Sequence, residues 1–147
     1  MSNEDQIKTA KGIVTTYSAS DWAGFKGLLT PDAIYNEVGS QRNIQGPDAI
    51  VQAMQGWKKA MTDSKGSVTN AFAGADVVAL EITWQGTHNG PLALPSGTVQ
   101  ASGRTQKTPA AMIVKFKGNK VKEIHHYFDM MAFLQQIGAM PGMAAKQ

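Results

Sequence analysis

The polarity of the side chains alternates along residues 76–87, and this feature constrains the fold more than any other. One face of the segment is strongly apolar, with Val78, Leu80, Ile82 and Trp84, and the other is mixed. A period of two is typical of a β-strand in a sheet that is covered on one side. Residues 67–73 and 98–117 are further predicted strands. A break is expected near Pro109, because proline is disfavoured within a ladder.

Helical patterns dominate the part of the chain that precedes these strands. An apolar stripe recurs at helical spacing at Ile7, Ala10, Val14 and Tyr17. Ser20 is the predicted N-cap of a second helix, and Pro47 stands at the first position of a third. Helices followed by a run of antiparallel strands indicate the α+β class. We expect a cone-shaped, curved antiparallel sheet with the N-terminal helices on its concave side and a hollow between them.

Residues 33–38 are predicted to form a short strand between the second and third helices. Alternation places Tyr35 and Glu37 on one face of this strand and Asn36 on the other. Because carboxylates are rarely buried, Glu37 is expected to point outward, as is Glu81.

Length and composition favour a single globular domain, residues 1–147. The formal net charge of +3 is a small and dispersed excess, which does not indicate a nucleic-acid partner. The absence of cysteine excludes disulfides and thiolate metal sites. The N-terminus lacks the apolar segment of a secretion signal, and no stretch is long enough to span a membrane. A cytoplasmic location is therefore expected.

Four segments stand in an order that is typical of one known family. They read IQGPDAI at residues 44–50, GWKKA at 56–60, WQGTHNGPL at 84–92, and YFD at 127–129 with LQQIG at 134–138. Over about residues 5–138, the chain resembles the SnoaL-like polyketide cyclase or ester cyclase family.

This resemblance implies the cone-shaped α+β fold of nuclear transport factor, scytalone dehydratase and ketosteroid isomerase. It also implies a homodimer that packs sheet against sheet, and no metal or cofactor. Enzymes of the family close a ring by intramolecular aldol condensation of an aromatic polyketide ester, with an Asp that matches Asp129 as acid/base. Where many relatives carry a histidine on the early strand, this chain has Asn36, and residues 112–117 also lack a histidine.

Asp129 is the first candidate for a catalytic base. It follows the last predicted strand and stands among apolar and aromatic residues. Apolar surroundings raise the pKa of a carboxyl group, which makes it a better proton acceptor. Asp is also a favoured N-cap, and Asp129 immediately precedes the predicted closing helix of residues 130–137. The sequence leaves both roles open.

His88 is the second catalytic candidate, because it stands where a strand enters the loop of residues 88–97. An imidazole at the mouth of a cavity can polarise a carbonyl group, and it can equally cap backbone groups of its loop. His125 and His126 are adjacent in a predicted strand, so their side chains point to opposite faces. One of the two is expected to face inward or into a dimer interface, and a shared metal is not expected.

Six residues are predicted to bind a substrate, namely Asn36, Trp57, Trp84, Met112, Phe116 and Tyr127. Core packing is the competing interpretation for the aromatic ones and for Met112. Two hypotheses about function follow. The first is a small cofactor-free enzyme that acts on a hydrophobic, carbonyl-bearing molecule by proton transfer, as a polyketide or ester cyclase does. The second is a non-catalytic small-ligand binder or a dimeric interaction module of the same fold.

Overall fold

The computed structural model describes residues 2–140, and this part of the chain forms four helices and eight strands. The helices are α1 (Asn3–Ser18), α2 (Trp22–Gly27), α3 (Pro47–Ala60) and α4 (Met130–Gln136). The strands are β1 (Leu29–Glu37), β2 (Arg42–Gln45), β3 (Lys65–Gly74), β4 (Val77–Thr87), β5 (Leu92–Leu94), β6 (Gly97–Val99), β7 (Thr105–Lys117) and β8 (Lys120–Phe128). The predicted α+β class is confirmed.

Six strands form one curved sheet in the order β2-β1-β8-β7-β4-β3. Neighbouring strands are antiparallel except for β1 and β8, which run parallel. The expectation of a wholly antiparallel sheet is therefore wrong at this one pair. The parallel register sets Glu37 beside His126.

β7 continues through Pro109, where the sequence predicted a break. β8 ends at Phe128, which lies opposite Ala110. Beyond Ala110, β7 therefore has no strand partner on the β8 side. A proline at that point leaves the ladder with β8 intact, because it lies beyond the last residue pair of that ladder.

The start of α2 differs by one residue from the prediction. Asp21, not Ser20, is the N-cap, and its Oδ1 accepts a hydrogen bond from the Gly24 N–H at 2.9 Å. Ser20 has a φ of 56°, so it belongs to the turn between α1 and α2. α3 begins at Pro47, as predicted.

The segment predicted as a loop after β4 contains a hairpin of β5 and β6. Each strand has only three residues, too few to produce a visible alternation. Leu92 of the hairpin packs with α4 and the end of α3 in a small apolar cluster that includes Phe133 and Ile137. The hairpin and α4 together cover one end of the sheet.

Helices α1, α2 and α3 pack against the inner face of the sheet. Ile13, Phe25, Ile50 and Leu80, which come from all three helices and the sheet, are each at most 1% exposed. The outer face carries the exposed rings of Phe72 and Tyr127. Over residues 2–140, no helix has the length and apolar character needed to cross a membrane.

Candidate active site

A cavity of about 60 Å³ lies between the inner face of the sheet and the helices. One water needs about 10–15 Å³, so the space admits several waters. The cavity is open on one side, and a ligand as large as a substituted benzene extends through that opening. Its apolar and aromatic walls are Ile13, Phe25, Met54, Trp57, Met61, Trp84, Met112, Phe128 and Phe133. Its polar groups are Tyr17, Tyr35, Glu37, Ser64, Gln106, Thr108 and His126.

Tyr35, His126 and Trp84 form a hydrogen-bonded row on the cavity wall. The Trp84 Nε1–H donates to His126 Nε2 at 3.0 Å, and His126 Nδ1 lies 2.7 Å from the Tyr35 hydroxyl oxygen. An indole N–H is only a donor, so Nε2 must be unprotonated, and the proton of the neutral imidazole is on Nδ1. The Nδ1–H group therefore donates to the oxygen of Tyr35.

Burial keeps the members of this row neutral. It lowers the pKa of His126 from 6.5 to about 4, although the charge of Glu37 opposes the shift. Burial also raises the pKa of Tyr35 well above its usual value, and the charge of Glu37 adds to that effect. At neutral pH the row thus consists of an uncharged imidazole and an uncharged phenol, as its hydrogen-bond directions require.

Of the residues 2–140 that line the cavity, Glu37 is the single acid, and it is 1% exposed. Its Oε1 accepts hydrogen bonds from the Ser40 hydroxyl and from Arg42, whose Nε and Nη2 lie at 3.0 and 2.7 Å. From the described part of the chain, its Oε2 accepts one bond, from Trp57 Nε1–H at 2.9 Å. Because each carboxylate oxygen has two acceptor sites, Oε2 retains one for a ligand.

The local sequence explains why a carboxylate is buried here. Tyr35 and Glu37 are two residues apart in β1, so both side chains face inward, with Cα atoms roughly 6.6 Å apart. Arg42 is the register partner of Glu37 across the β1–β2 turn. Burial removes the hydration of the carboxylate, and the ion pair with Arg42 and the Trp57 hydrogen bond offset that cost.

A second polar group of the cavity is formed by the hydroxyls of Tyr17 and Ser64, 2.6 Å apart. Lys58 Nζ lies 5.1 Å from the centre of the Tyr17 ring and donates to two backbone carbonyls, those of Ser18 and Ser64. Burial raises the pKa of Tyr17 to about 12, so its phenol is neutral. We interpret this group as structural, because Lys58 is engaged with backbone and does not line the cavity.

Three of the six residues predicted to bind a substrate line the cavity, namely Trp57, Trp84 and Met112. The other three do not. Phe116 is buried in the core away from the cavity lining, and Tyr127 is 46% exposed on the outer face. Asn36 also lies on the outer face, with its amide nitrogen 3.5 Å from His125 Nδ1. In β1 the inward positions are Tyr35 and Glu37, which leaves Asn36 on the far side of the sheet.

The structure corrects the expected position of Asp129. Its side chain is exposed, it is not among the residues that line the cavity, and its Oδ1 caps α4 by accepting from the Ala132 N–H at 3.0 Å. The inward positions at the end of β8 belong to His126 and Phe128. Of the two roles that the sequence left open, the geometry supports capping.

His88 is fully buried beneath the residues that lead into β7, away from the cavity lining, so its expected position at a cavity mouth is wrong. Its Nδ1 accepts from the Ser102 backbone N–H at 3.2 Å and lies 3.0 Å from the Ser102 hydroxyl. Its Nε2 has no hydrogen-bond partner among residues 2–140. Burial lowers the pKa of His88.

Sequence reasoning did not select Tyr35, Glu37 or His126 for the site. It placed Tyr35 and Glu37 correctly on one face of β1, but the rule that charges avoid burial assigned that face to solvent. It also expected one of two adjacent histidines to face inward or into a dimer interface, and in the structure His126 faces inward, 7% exposed. A signal that was available is Arg42, a basic residue placed just after a short turn, where it can pair with Glu37.

The arrangement of these groups suits acid–base chemistry. Within the described range, no three His, Asp or Glu side chains are grouped so that they could hold a metal ion. The cavity offers a fixed carboxylate with a free acceptor site, and a phenol whose hydrogen is not used by its row. A proton acceptor and a hydrogen-bond donor thus face one apolar space.

A family model described as SnoaL-like polyketide cyclase matches residues 8–137, nearly the whole chain. The chain belongs to this family. No curated protein matches it.

Solved structures of other proteins share the fold. AclR from Streptomyces galilaeus, provisionally called a hydroxylase, is 24% identical, with a TM-score of 0.79 over 95% of this chain and 89% of AclR. A protein from Jannaschia sp. CCS1, provisionally called a SnoaL-like polyketide cyclase, is 16% identical, with a TM-score of 0.84 over 95% of both chains. IdmH from Streptomyces antibioticus, provisionally called a polyketide cyclase, is 18% identical, with a TM-score of 0.76 over 90% of this chain and 98% of IdmH. At these identities the likeness establishes the fold and leaves the reaction open.

Proposed function

We propose that this SnoaL-like protein removes a proton next to the carbonyl group of a small hydrophobic molecule. Glu37 accepts the proton, and the Tyr35 hydroxyl donates a hydrogen bond to the carbonyl oxygen. Proton removal of this kind begins aldol-type ring closure, as in a polyketide cyclase, and it also begins isomerisation. The substrate is an apolar, carbonyl-bearing compound that matches the aromatic and methionine walls of the cavity.

The observation that carries this proposal is that Tyr35 and Glu37 lie side by side on the wall of one apolar cavity. Their Cα atoms are roughly 6.6 Å apart, and a ligand placed between the two side chains can contact both. The ion pair with Arg42 fixes the carboxylate, and Oε2 keeps a free acceptor site. A base held within reach of the proton it removes contributes about 10²- to 10⁴-fold to a rate.

The proposed step balances without any other reactant. The C–H bond next to the carbonyl breaks, its proton moves to Glu37 Oε2, and its electron pair moves into the C=O group to give an enolate. The Tyr35 hydroxyl stabilises the enolate oxygen, while His126 Nδ1–H supports the Tyr35 oxygen. Donors that face a developing negative charge in a site that excludes water are more effective than the same donors in water.

Acetophenone in D₂O tests the proposal without knowledge of the natural substrate. It is a single-ring ketone, and its methyl protons are the ones that Glu37 would remove. We expect the protein to accelerate the exchange of these protons for deuterium, followed by NMR. Glu37→Gln keeps the shape of the side chain but removes the base, so it should lower the exchange rate by at least about 100-fold.

Two control variants accompany Glu37→Gln. Glu81→Gln changes an exposed acid that lies outside the cavity lining, and Asp129→Asn changes the capping acid to another good N-cap. Both should exchange at the wild-type rate. Wild-type exchange by Glu37→Gln would remove Glu37 from the proposal. Binding of acetophenone without any exchange above buffer would favour the non-catalytic binder.

A further inference from the structure

We infer that Trp84 is a positioning residue that makes the cavity select ligands with an acceptor oxygen at Tyr35. It does so by fixing the tautomer of His126. The inference deepens the proposed function and rests on it for the identity of the ligand oxygen. Its physical basis, however, is the direction of the hydrogen bonds in the Trp84–His126–Tyr35 row, which exists without any ligand.

Trp84 fixes the tautomer of His126. A neutral imidazole has one donor and one acceptor nitrogen, and either tautomer is available in water. Trp84 Nε1–H, at 3.0 Å from Nε2, removes this freedom because two N–H groups cannot face each other at that distance. His126 is 7% exposed, so no bulk water is present to reverse the choice.

The tautomer of His126 sets the direction of the hydrogen bond at Tyr35. With the His126 proton on Nδ1, the short contact of 2.7 Å has the imidazole as donor and the phenol oxygen as acceptor. The hydroxyl hydrogen of Tyr35 therefore points elsewhere. Tyr35 is 1% exposed and lines the cavity, and no second partner for its hydroxyl lies within residues 2–140. The hydrogen is available to a ligand or a water inside the cavity.

The hydroxyl hydrogen of Tyr35 makes the cavity selective for ligands with an acceptor oxygen. A buried donor that loses its acceptor is costly, so a ligand without an oxygen at this point is penalised relative to one that has it. If Trp84 could no longer donate, His126 could carry its proton on Nε2, and Tyr35 would then donate to Nδ1. The cavity would keep its apolar walls but would lose its donor. Trp84 thus acts on the ligand through two intervening side chains.

The fold brings Trp84 and His126 together across β7. Trp84 lies on β4 and His126 on β8, and β7 runs between them, so their strands are roughly 9.6 Å apart. Ala110 faces inward on β7, between the β7 residue that pairs with Trp84 and the one that pairs with His126. Its small side chain leaves the space between the two rings open. The indole ring reaches across this gap to the imidazole, with ring centres 5.8 Å apart.

Two ligands of the same shape provide the binding test. Acetophenone has a C=O group where α-methylstyrene has a C=CH₂ group, so only the first accepts a hydrogen bond. The readout is the ratio of their dissociation constants, measured by calorimetry for each protein. Trp84→Phe should shift this ratio about 5- to 20-fold toward α-methylstyrene, and Tyr35→Phe should shift it by a similar factor.

Trp57→Phe is the matched control, because Trp57 lines the same cavity but donates to Glu37 instead of His126. It removes similar ring area, so it should weaken both ligands together and leave their ratio unchanged. Nitrogen-15 NMR of the imidazole is the spectroscopic readout. Wild type and Trp57→Phe should show His126 protonated on Nδ1, and Trp84→Phe should show a population protonated on Nε2.

The inference is overturned if wild-type His126 carries its proton on Nε2, or if Trp84→Phe changes neither the tautomer nor the ratio. Neither readout involves proton removal from the ligand. A shifted ratio without deuterium exchange would therefore leave this inference standing and count against the proposed function. Deuterium exchange that depends on Glu37, together with an unchanged ratio in Trp84→Phe, would support the proposed function and count against this inference.

Discussion

The buried imidazole of His126 predicts that the protein loses stability in mild acid. Burial lowers the pKa of His126 from 6.5 to about 4 in the folded protein. In the unfolded chain the group returns to a pKa of about 6.5. Between these two values the unfolded state binds a proton that the folded state does not. The free energy of unfolding therefore falls as the pH falls through this window, and the contribution is fully present above pH 6.5.

The size of this effect follows from the two pKa values. Each pH unit inside the window costs about 1.36 kcal/mol, so the full interval from 6.5 to 4 corresponds to about 3 kcal/mol. Between about pH 7 and pH 4.5, most of that amount, about 2 kcal/mol, should be lost. This is a large fraction of the total stability of a typical domain, which is about 5–15 kcal/mol.

Urea unfolding of wild type and His126→Gln at these two pH values isolates the contribution. Gln has a donor and an acceptor for the same neighbours but does not titrate, so the variant should lose about 2 kcal/mol less on acidification. The Thr87 backbone N–H is the main cause of the lowered pKa of Asp63, and the hydrogen bond with His125 is the main cause of the lowered pKa of Glu123. Both groups titrate in both proteins, so their contributions to the acid loss cancel in the comparison. Equal acid losses in the two proteins, or an NMR titration of His126 near 6.5, would refute the reasoning.

Three further predictions concern the surroundings of the cavity. In Gly39→Ala, the new Cβ would lie 2.7 Å from the Phe128 ring, so the ring must shift. We expect the free energy of unfolding in urea to fall by about 1–3 kcal/mol and acetophenone binding in calorimetry to weaken. Unchanged values would contradict the tight contact. In Arg42→Met, Glu37 loses its ion-pair partner, and the free energy of unfolding near pH 7 should fall by about 1.5–3 kcal/mol; no fall would show that the pair contributes little. In Asp129→Ala, loss of the N-cap should cost about 1 kcal/mol without changing deuterium exchange, and a loss of exchange would return Asp129 to the active site.

The long strands and the amphipathic helices were predictable because period and burial agree along them. The apolar face of β4 has Val78, Leu80 and Ile82 at 2% exposure or less, and it selects the side of the sheet on which the helices pack. The parallel pairing of β1 with β8 was not predictable in the same way, because alternation fixes a face and not a partner. Homodimer formation and a cytoplasmic location stay predictions.

The site was predicted only in part, for reasons that Glu37 and Asp129 illustrate. A rule based on single residues sends a carboxylate to the surface. Burial of Glu37 depends on Ser40 and Arg42 from the adjacent turn and on Trp57, which the tertiary structure brings to it. Asp129 showed the opposite case. Its apolar neighbours in sequence suggested a pocket, whereas the helix that it caps turns its carboxylate to solvent.

A crystal structure of the protein with acetophenone bound is the most direct test of the central claim. We predict that the carbonyl oxygen lies within about 2.5–3.0 Å of the Tyr35 hydroxyl oxygen. The methyl carbon should lie about 3–3.5 Å from Glu37 Oε2, close enough for proton transfer. A ligand in the same cavity with its carbonyl turned away from Tyr35 and its methyl group away from Glu37, or a ligand bound only on the outer face of the sheet, would contradict the account.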